Sequence, residues 1–151
     1  MKLEGSSVLL TGGAGFIGSH VADALIEKGV SELVVVDDLS LGHLKNLEAA
    51  QAAMPSLEFH ELDLADDAAV QALLGERSFD FCFNLAVIPL PASLVEPKPT
   101  MDRNVQMTTN ICEMAREGRI KRLIQYSSSE VYGTARKVPM DEEHPLEAET
   151  P

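Results

Sequence analysis

Tryptophan is absent from this chain of 151 residues, and cysteine occurs only twice. Cys82 and Cys112 match neither a CxxC pair nor a spacing typical of metal ligands, and the histidines show no ligand spacing either. The sequence therefore argues against a disulfide framework, and we expect no metal site. Because Cys82 lies within the apolar run 79–83, we expect a buried, reduced thiol and hence a cytoplasmic protein.

Basic residues are also scarce. Lysine and arginine total 12 against 24 aspartates and glutamates, which gives a formal net charge of −12. Such a surface repels phosphate backbones, which argues against nucleic-acid binding but not against a phosphorylated small molecule held by backbone amides. No apolar run approaches the roughly 18–20 residues of a membrane span, and the N-terminus leads directly into a strand-like segment. We therefore expect neither a membrane span nor a signal peptide.

Apolar runs alternate with amphipathic stretches along the chain. Runs typical of strands lie at 7–10, 32–36, 57–60, 79–84 and 122–126. Stretches with helical spacing lie between them, at 20–28, 44–54, 66–74 and 100–117. This alternation predicts an α/β fold, a Rossmann-like, doubly wound parallel sheet in three α/β/α layers, truncated after about five strands. We expect the proline-rich segment 89–99 to form an ordered loop and the acidic tail 139–151 to be loop.

A glycine cluster follows the first predicted strand and precedes the first predicted helix. Two patterns overlap in it, Gly13-x-Gly15-x-x-Gly18 and Gly12-x-x-Gly15-x-x-Gly18. Such glycines permit a tight turn and let the backbone approach a pyrophosphate, which then lies on the helix N-terminus. Asp37 follows at the end of the next predicted strand, where a carboxylate accepts hydrogen bonds from the adenosine ribose hydroxyls. That carboxylate would repel a 2′-phosphate, so the pattern predicts NAD rather than NADP.

Short motifs continue along the chain beyond the glycine cluster. The motifs, in order, are Thr11-Gly12-x-x-Gly15-x-x-Gly18, Asp37-Asp38-Leu39-Ser40-x-Gly42, Asp63-Leu64, Asn84-Leu85-Ala86 and Asn104-Val105-x-x-Thr108. Together they resemble the NAD-dependent epimerase/dehydratase family, the extended short-chain dehydrogenases that act on nucleotide sugars. Asp38, Val87 and Met107 stand where the family usually has asparagine, alanine and glycine.

The resemblance implies NAD as the cofactor and a set of residues around it. The Asp63-Leu64 pair would contact the adenine, and Asn84-Leu85-Ala86 would lie beside the cofactor. The implied cofactor-binding residues are Gly12, Gly15, Phe16, Ile17, Gly18, Asp37, Asp38, Ser40, Asp63, Leu64, Leu85, Ala86 and Asn104.

The serine-rich segment Tyr126-Ser127-Ser128-Ser129-Glu130-Val131-Tyr132-Gly133 resembles the family's active-site strand end. Ser128 takes the place of the serine or threonine that hydrogen-bonds the sugar 4-hydroxyl. Glu130 takes the place of a glutamate in sugar 4,6-dehydratases and related decarboxylases, and Ser129 that of an aspartate acid in some dehydratases. The implied catalytic residues are therefore Ser128, Glu130 and Ser129. In the alternative interpretation, the serines satisfy only backbone groups and Glu130 is a solvated surface acid.

The resemblance implies modification of a nucleotide-diphosphate sugar through a transient 4-keto intermediate. Glu130 favours a hexose 4,6-dehydratase, and a 4-epimerase of the UDP-glucose type and a UDP-glucuronate decarboxylase are the alternatives. A non-catalytic NAD-binding domain is the alternative from another class.

The family's catalytic base, the tyrosine of a Tyr-x-x-x-Lys helix, has no counterpart in the sequence. Tyr126 is followed by Glu130 at the lysine position, and Tyr132 is followed by Arg136. We therefore interpret residues 1–151 as an NAD-binding Rossmann domain without that helix and without the C-terminal substrate domain. We expect this fragment alone to be inactive, and for the full-length enzyme the resemblance implies a homodimer.

Overall fold

The computed structural model describes residues 2–149, which form one five-stranded parallel sheet in the order β3-β2-β1-β4-β5. The strands are β1 (Ser7–Thr11), β2 (Glu32–Asp37), β3 (Glu58–Glu61), β4 (Phe79–Asn84) and β5 (Ile120–Gln125). The helices are α1 (Phe16–Glu27), α2 (Glu48–Ala53), α3 (Asp67–Leu74), α4 (Leu90–Val95) and α5 (Pro97–Arg116), with two 3-10 turns at Leu44–Leu47 and Ser129–Tyr132. The predicted Rossmann-like fold is confirmed.

β1 lies at the centre of the sheet and pairs with a strand on each side. Leu9 is opposite Val34 of β2 and Cys82 of β4. The chain first adds strands on the β2 side and then crosses to the β4 side, so the strand order reverses at β1. In open parallel sheets this reversal leaves a crevice at the carboxyl ends of the strands.

The core lies in two layers, one on each face of the sheet. Successive strand side chains point to opposite faces, so Val8 and Leu10 join one buried cluster while Leu9 joins the other. The first cluster contains Leu25 of α1, and the second contains Ile111 of α5. Because both faces are covered, the middle residues of β1 and β2 form continuous apolar runs, as expected for the three-layer arrangement.

The proline-rich segment differs from the predicted loop. It contains helix α4 and the first turn of α5, with a proline in the first turn of each helix. Proline is tolerated there because its missing N–H would have no partner within the helix. The four prolines of the segment therefore mark helix starts as well as turns.

Several predicted boundaries also shift. Helix α1 begins at Phe16 rather than at residue 20, directly after the glycine cluster. The predicted helix 44–54 divides into a 3-10 turn and α2, and β5 begins at Ile120 rather than at residue 122. The predicted loop after residue 138 contains no helix or strand as far as Glu149, while Thr150 and Pro151 lie outside the described residues. Among residues 2–149, no helix combines the length and the apolar character needed to cross a bilayer.

We expect Ile111→Ala to lower the free energy of unfolding by about 2–5 kcal/mol, because it leaves a cavity in the second core cluster. Ile111 is fully buried, whereas Val105, on the exposed side of α5, is 60% exposed. Val105→Ala is the matched control, with an expected change within about 0.5 kcal/mol. Chemical denaturation of both variants checks this, and equal losses would contradict the assigned core.

Candidate functional site

A crevice of about 620 Å³ lies at the carboxyl ends of the strands. This volume is within the usual range for small-molecule sites. Most of the residues predicted to bind cofactor line it together: Gly12, Gly15, Phe16, Ile17, Gly18, Asp37, Asp38, Ser40, Leu64, Leu85, Ala86 and Asn104. Of the predicted cofactor residues only Asp63 is outside the lining, and of the predicted catalytic residues only Ser128 is within it.

The glycine cluster allows three backbone segments to approach closely. Gly12 has a φ of +65°, and a Cβ there would lie 2.9 Å from the Ala86 amide nitrogen. A Cβ on Gly18 would lie 2.1 Å from the Gly12 carbonyl oxygen. Gly12 thus allows close contact with the loop after β4. Gly18 allows the first turn of α1 to pack against the backbone of Gly12 and Gly13. These steric requirements account for the spacing seen in the sequence.

The N-terminus of α1 faces the crevice, which Gly15 and the first-turn residues Phe16, Ile17 and Gly18 line. Its first intrahelical bond runs from the Ser19 amide to the Gly15 carbonyl at 3.1 Å. No side chain caps Gly15, and the first turn, within the described residues, carries no acidic residue. The amides of the first turn and the helix dipole are therefore available to an anion such as a diphosphate.

Asp37 connects the glycine cluster to the turn after β2. Its carboxylate accepts hydrogen bonds from the Ala14 amide and the Leu39 amide, each at 2.9 Å. The side chain is nearly buried yet borders the crevice, and Gly42 packs so closely that a Cβ there would lie 2.6 Å from Asp37 Oδ1. Next to it, Asp38 accepts from the Ser40 amide at 3.0 Å and the Ser40 hydroxyl at 2.6 Å. Both carboxylates are thus held in place at the crevice rim.

A chain of neutral side chains joins three strand ends next to the crevice, and Gln125 at its end lines the crevice. The Thr11 hydroxyl donates to Asn84 Oδ1 at 2.5 Å, and Asn84 Nδ2 donates to Gln125 Oε1 at 2.7 Å. Thr11 Oγ1 also accepts from the Leu85 and Ala86 amides at 3.2 and 3.3 Å. These contacts connect the ends of β1, β4 and β5. Sequence reasoning did not assign functional roles to Thr11 and Gln125; their position as the last residues of their strands is the signal that could have found them.

Helix α5 supports the loop on the β4 side of the crevice. Asn104 Oδ1 accepts from the Ile88 amide at 2.8 Å, and its Nδ2 donates to the Ile88 carbonyl at 3.0 Å. Asn104 therefore holds the loop through both of its amide atoms, as well as bordering the crevice. Met107, which replaces the family's usual glycine, also borders the crevice and packs into the second core cluster.

Asp63 lies outside the crevice lining and bonds to Arg103 of α5, and its predicted contact with the cofactor stays a prediction. Its Oδ2 accepts from Arg103 Nη2 at 2.7 Å, and its Oδ1 accepts from the Ala65 amide at 2.9 Å. Partial burial alone would raise the pKa of Asp63, but the Ala65 amide and the Arg103 guanidinium together hold it below its ordinary value. The neighbouring residues Leu62 and Leu64 do line the crevice.

The three predicted catalytic residues follow β5, but only one of them lines the crevice. Tyr126, Ser127 and Ser128 line the crevice, and Ser128 Oγ accepts from the Glu130 amide at 3.2 Å. Ser129 and Glu130 lie on the following 3-10 turn, are exposed, and are outside the lining. Ser128 is thus a residue of the crevice, whereas catalytic roles for Ser129 and Glu130 stay predictions. Among residues 2–149, no three His, Cys, Asp or Glu side chains are grouped so that they could hold a metal ion.

The parallel sheet, the glycine cluster and the carboxylate at the end of β2 define a nucleotide-binding protein of the three-layer α/β class. The family model described as GDP-mannose 4,6 dehydratase matches residues 9–151. The chain belongs to this family, which is of the NAD-dependent epimerase/dehydratase type, and the resemblance found in the sequence is confirmed.

Curated relatives are similar over nearly the whole chain. UDP-glucose 4-epimerase 2 of Arabidopsis thaliana is 35% identical over 150 residues, covering 96% of this chain and 43% of the plant protein. The putative UDP-glucose 4-epimerase of Methanocaldococcus jannaschii is 34% identical, covering 95% of this chain and 45% of its own length. The chain therefore spans less than half the length of these relatives.

Solved structures show the same fold. The UDP-Glc/GlcNAc 4-epimerase of Campylobacter jejuni has a TM-score of 0.87 and 31% identity, covering 97% of this chain and 44% of that protein. The UDP-glucose 4-epimerase of Bifidobacterium longum, in complex with NAD+ and UDP, has a TM-score of 0.83 and 28% identity, covering 93% and 42%.

We expect Gly18→Ala to lower the free energy of unfolding by about 1–3 kcal/mol, although alanine normally stabilises a helix relative to glycine. The new methyl group would meet the Gly12 carbonyl oxygen. Gly15→Ala is the matched control, since its Cβ would lie 3.2 Å from the same oxygen at a φ of −73°. Urea denaturation compares the two, and an unchanged or raised stability of Gly18→Ala would contradict the steric role of Gly18.

Proposed function

We propose that residues 1–151 form an NAD-binding domain whose crevice holds the dinucleotide. The diphosphate lies on the first-turn amides of α1, and the adenosine ribose lies against Asp37. The observation that carries this proposal is the hydrogen bond from the Ala14 amide to the Asp37 carboxylate at 2.9 Å. It places the carboxylate proposed to bind the ribose directly beside the glycine cluster proposed to bind the diphosphate. The presence of NAD+ in the related B. longum epimerase supports it.

The remaining crevice residues complete the NAD site. Leu64 lines the adenosine side, while Leu85, Ala86 and Asn104 line the opposite wall, next to Ser128 at the end of β5. NAD bound there supplies a hydride acceptor. Ser128 orients the substrate hydroxyl by hydrogen bonding, and the apolar walls exclude water from the reacting atoms.

We expect isothermal calorimetry on the chain to show NAD binding, with NADP bound at least about tenfold more weakly because Asp37 repels a 2′-phosphate. Asp37→Asn should weaken NAD binding about tenfold or more, since hydrogen bonds to a charged acceptor are the strong ones. Glu76→Gln removes the same charge at an exposed position outside the crevice and is the control. Equal affinity of the wild-type chain for NAD and NADP would overturn this placement of the ribose.

For the whole protein, the proposal is modification of a nucleotide-diphosphate sugar through a transient 4-keto intermediate. The names of the curated relatives favour 4-epimerisation, in which the hydride returns to C4. We extend the proposal to a cytoplasmic homodimer. The cytoplasmic location is supported by the free thiol of the exposed Cys112, because exposed thiols persist in a reducing compartment.

The second candidate is a 4,6-dehydratase or a decarboxylase. Two observations favour it, the description of the matching family model and the glutamate at position 130. In a dehydratase, Glu130 would remove the C5 hydrogen that the 4-keto group acidifies, and water would leave from C6. Because Glu130 is exposed beside Ser128 rather than in the crevice lining, this role requires substrate to extend over the turn Ser129–Tyr132.

Glu130→Gln separates the two candidates in a protein that also contains the Tyr-x-x-x-Lys helix. If Glu130 is the base, the rate of 4-keto-6-deoxy sugar formation falls by about 10²-fold or more, the usual contribution of general base catalysis. Glu142→Gln, at an exposed acid of the tail, is the control and should keep the wild-type rate. Product analysis by NMR gives the outcome. An unchanged Glu130→Gln rate, or a C4 epimer as the wild-type product, removes the dehydratase assignment.

A further inference from the structure

An aromatic residue lines the crevice at the end of β5. The crevice lining contains two aromatic residues, Phe16 at the start of α1 and Tyr126 directly after β5. The Tyr126 amide donates to the Asn84 carbonyl at 3.1 Å, and the Tyr126 carbonyl accepts from Gln125 Nε2 at 2.9 Å. Both backbone polar groups of Tyr126 are therefore bound to neighbours, which holds in place the backbone that carries the ring.

The side chain of Tyr126 is available to a ligand. Tyr126 is 40% exposed and borders the crevice. Among residues 2–149 its phenol hydroxyl has no hydrogen-bond partner, and the one cation–π contact lies elsewhere, between Arg77 and Phe79. The Tyr126 ring is therefore not occupied by a cation from the described part of the chain.

The crevice is charged at one end only. Within the part of the chain that the structure describes, the charged residues of the lining are Asp37 and Asp38, at the end of β2. The opposite end, at β4 and β5, is lined by neutral side chains such as Val87 and Ser128. Because the face of an aromatic ring attracts a cation, Tyr126 can supply the attraction that a carboxylate would otherwise provide there.

The proposed orientation of NAD brings its cationic ring to this end. With the adenosine ribose against Asp37 and the diphosphate on α1, the nicotinamide half extends past β1 towards β4 and β5. The nicotinamide ring of NAD+ is a pyridinium cation, whereas the ring of NADH has a similar outline and no charge. An aromatic ring beside it therefore distinguishes the two redox states by charge.

We propose that Tyr126 contacts the nicotinamide ring and favours the oxidised cofactor over the reduced one. This inference rests on the proposed NAD site. In the proposed reaction NAD takes a hydride and returns it within one turnover, so each cycle must begin with the oxidised form. A preference for the cation stabilises that form between turnovers.

Calorimetry on the 151-residue chain tests the preference with three ligands, NAD+, NADH and ADP-ribose, the last of which lacks nicotinamide. We expect Tyr126→Leu to lower the affinity for NAD+ relative to that for NADH by about threefold or more, because leucine retains apolar contact but has no aromatic face. The affinity for ADP-ribose should stay unchanged, since this ligand has no ring at the β5 end. Tyr126→Phe retains the aromatic face and should keep the wild-type ratio of the two dinucleotide affinities.

Tyr132→Leu is the matched control. It removes the other of the two tyrosines, which lies on the 3-10 turn outside the crevice lining, and should leave the ratio unchanged. Glu130 is present in all of these variants. A preference for the cation that arises from the charge of Glu130 would therefore survive in Tyr126→Leu.

The absence of tryptophan provides a second, spectroscopic readout. In Tyr132→Phe, tyrosine fluorescence comes from Tyr126 alone. NAD+ should quench this emission, because the electron-poor nicotinamide ring lies against the phenol, whereas ADP-ribose should not. In Tyr126→Phe, the emission of the remaining Tyr132 should change with neither ligand.

The outcomes separate this inference from the proposed function. Failure of the wild-type chain to bind both NAD+ and ADP-ribose overturns the NAD site itself. If the chain binds them, three results overturn the role of Tyr126 while leaving the NAD site intact. These are an unchanged ratio of NAD+ to NADH affinity in Tyr126→Leu, an equal loss of affinity for all three ligands in that variant, and a lack of quenching by NAD+ in Tyr132→Phe.

Discussion

The two hydrogen bonds accepted by Asp37 join the parts of the crevice that come from different loops. One oxygen takes the Ala14 amide of the glycine cluster, and the other takes the Leu39 amide, where the backbone has a positive φ of 56°. That conformation is unfavourable for leucine, and the charged acceptor offsets part of its cost. The start of α1 and the turn after β2 therefore depend on one carboxylate. The same group defines where a ribose would lie, so its structural and binding roles are inseparable.

Helix α5 has a comparable role on the outer walls. Three of its polar side chains reach loops on either side of β1, namely Asn104 to Ile88, Asn110 to Leu64 and Arg103 to Asp63. Apolar side chains of the same helix, such as Ile111, anchor it to the sheet. Because α5 is anchored to the sheet, its side chains hold these loops at fixed positions. This explains how loops without regular hydrogen bonding can form definite crevice walls.

The sequence was most informative where one local pattern determines the structure. Continuous apolar strands, the spacing of Gly12, Gly15 and Gly18, and the position of Asp37 each follow from steric or burial requirements of adjacent residues. Prediction was wrong at segment 89–99, because proline content indicates a break in a helix but does not distinguish a loop from a helix start. The ion pair of Asp63 was not predictable, since its partner Arg103 is on another element. Glu130 illustrates the same limit, because its motif gives its order along the chain but not its distance from the crevice.

The hydrogen-bonded chain at the ends of β1, β4 and β5 has a further consequence for how the site responds to pH. From Thr11 through Asn84 to Gln125, and from Gln125 Nε2 to the Tyr126 carbonyl at 2.9 Å, every donor points the same way along the sheet edge. None of these side chains gains or loses a proton in the range in which proteins stay folded. The direction of these hydrogen bonds is consequently the same at low and at high pH. These side chains therefore contribute no titrating group to a reaction at the crevice.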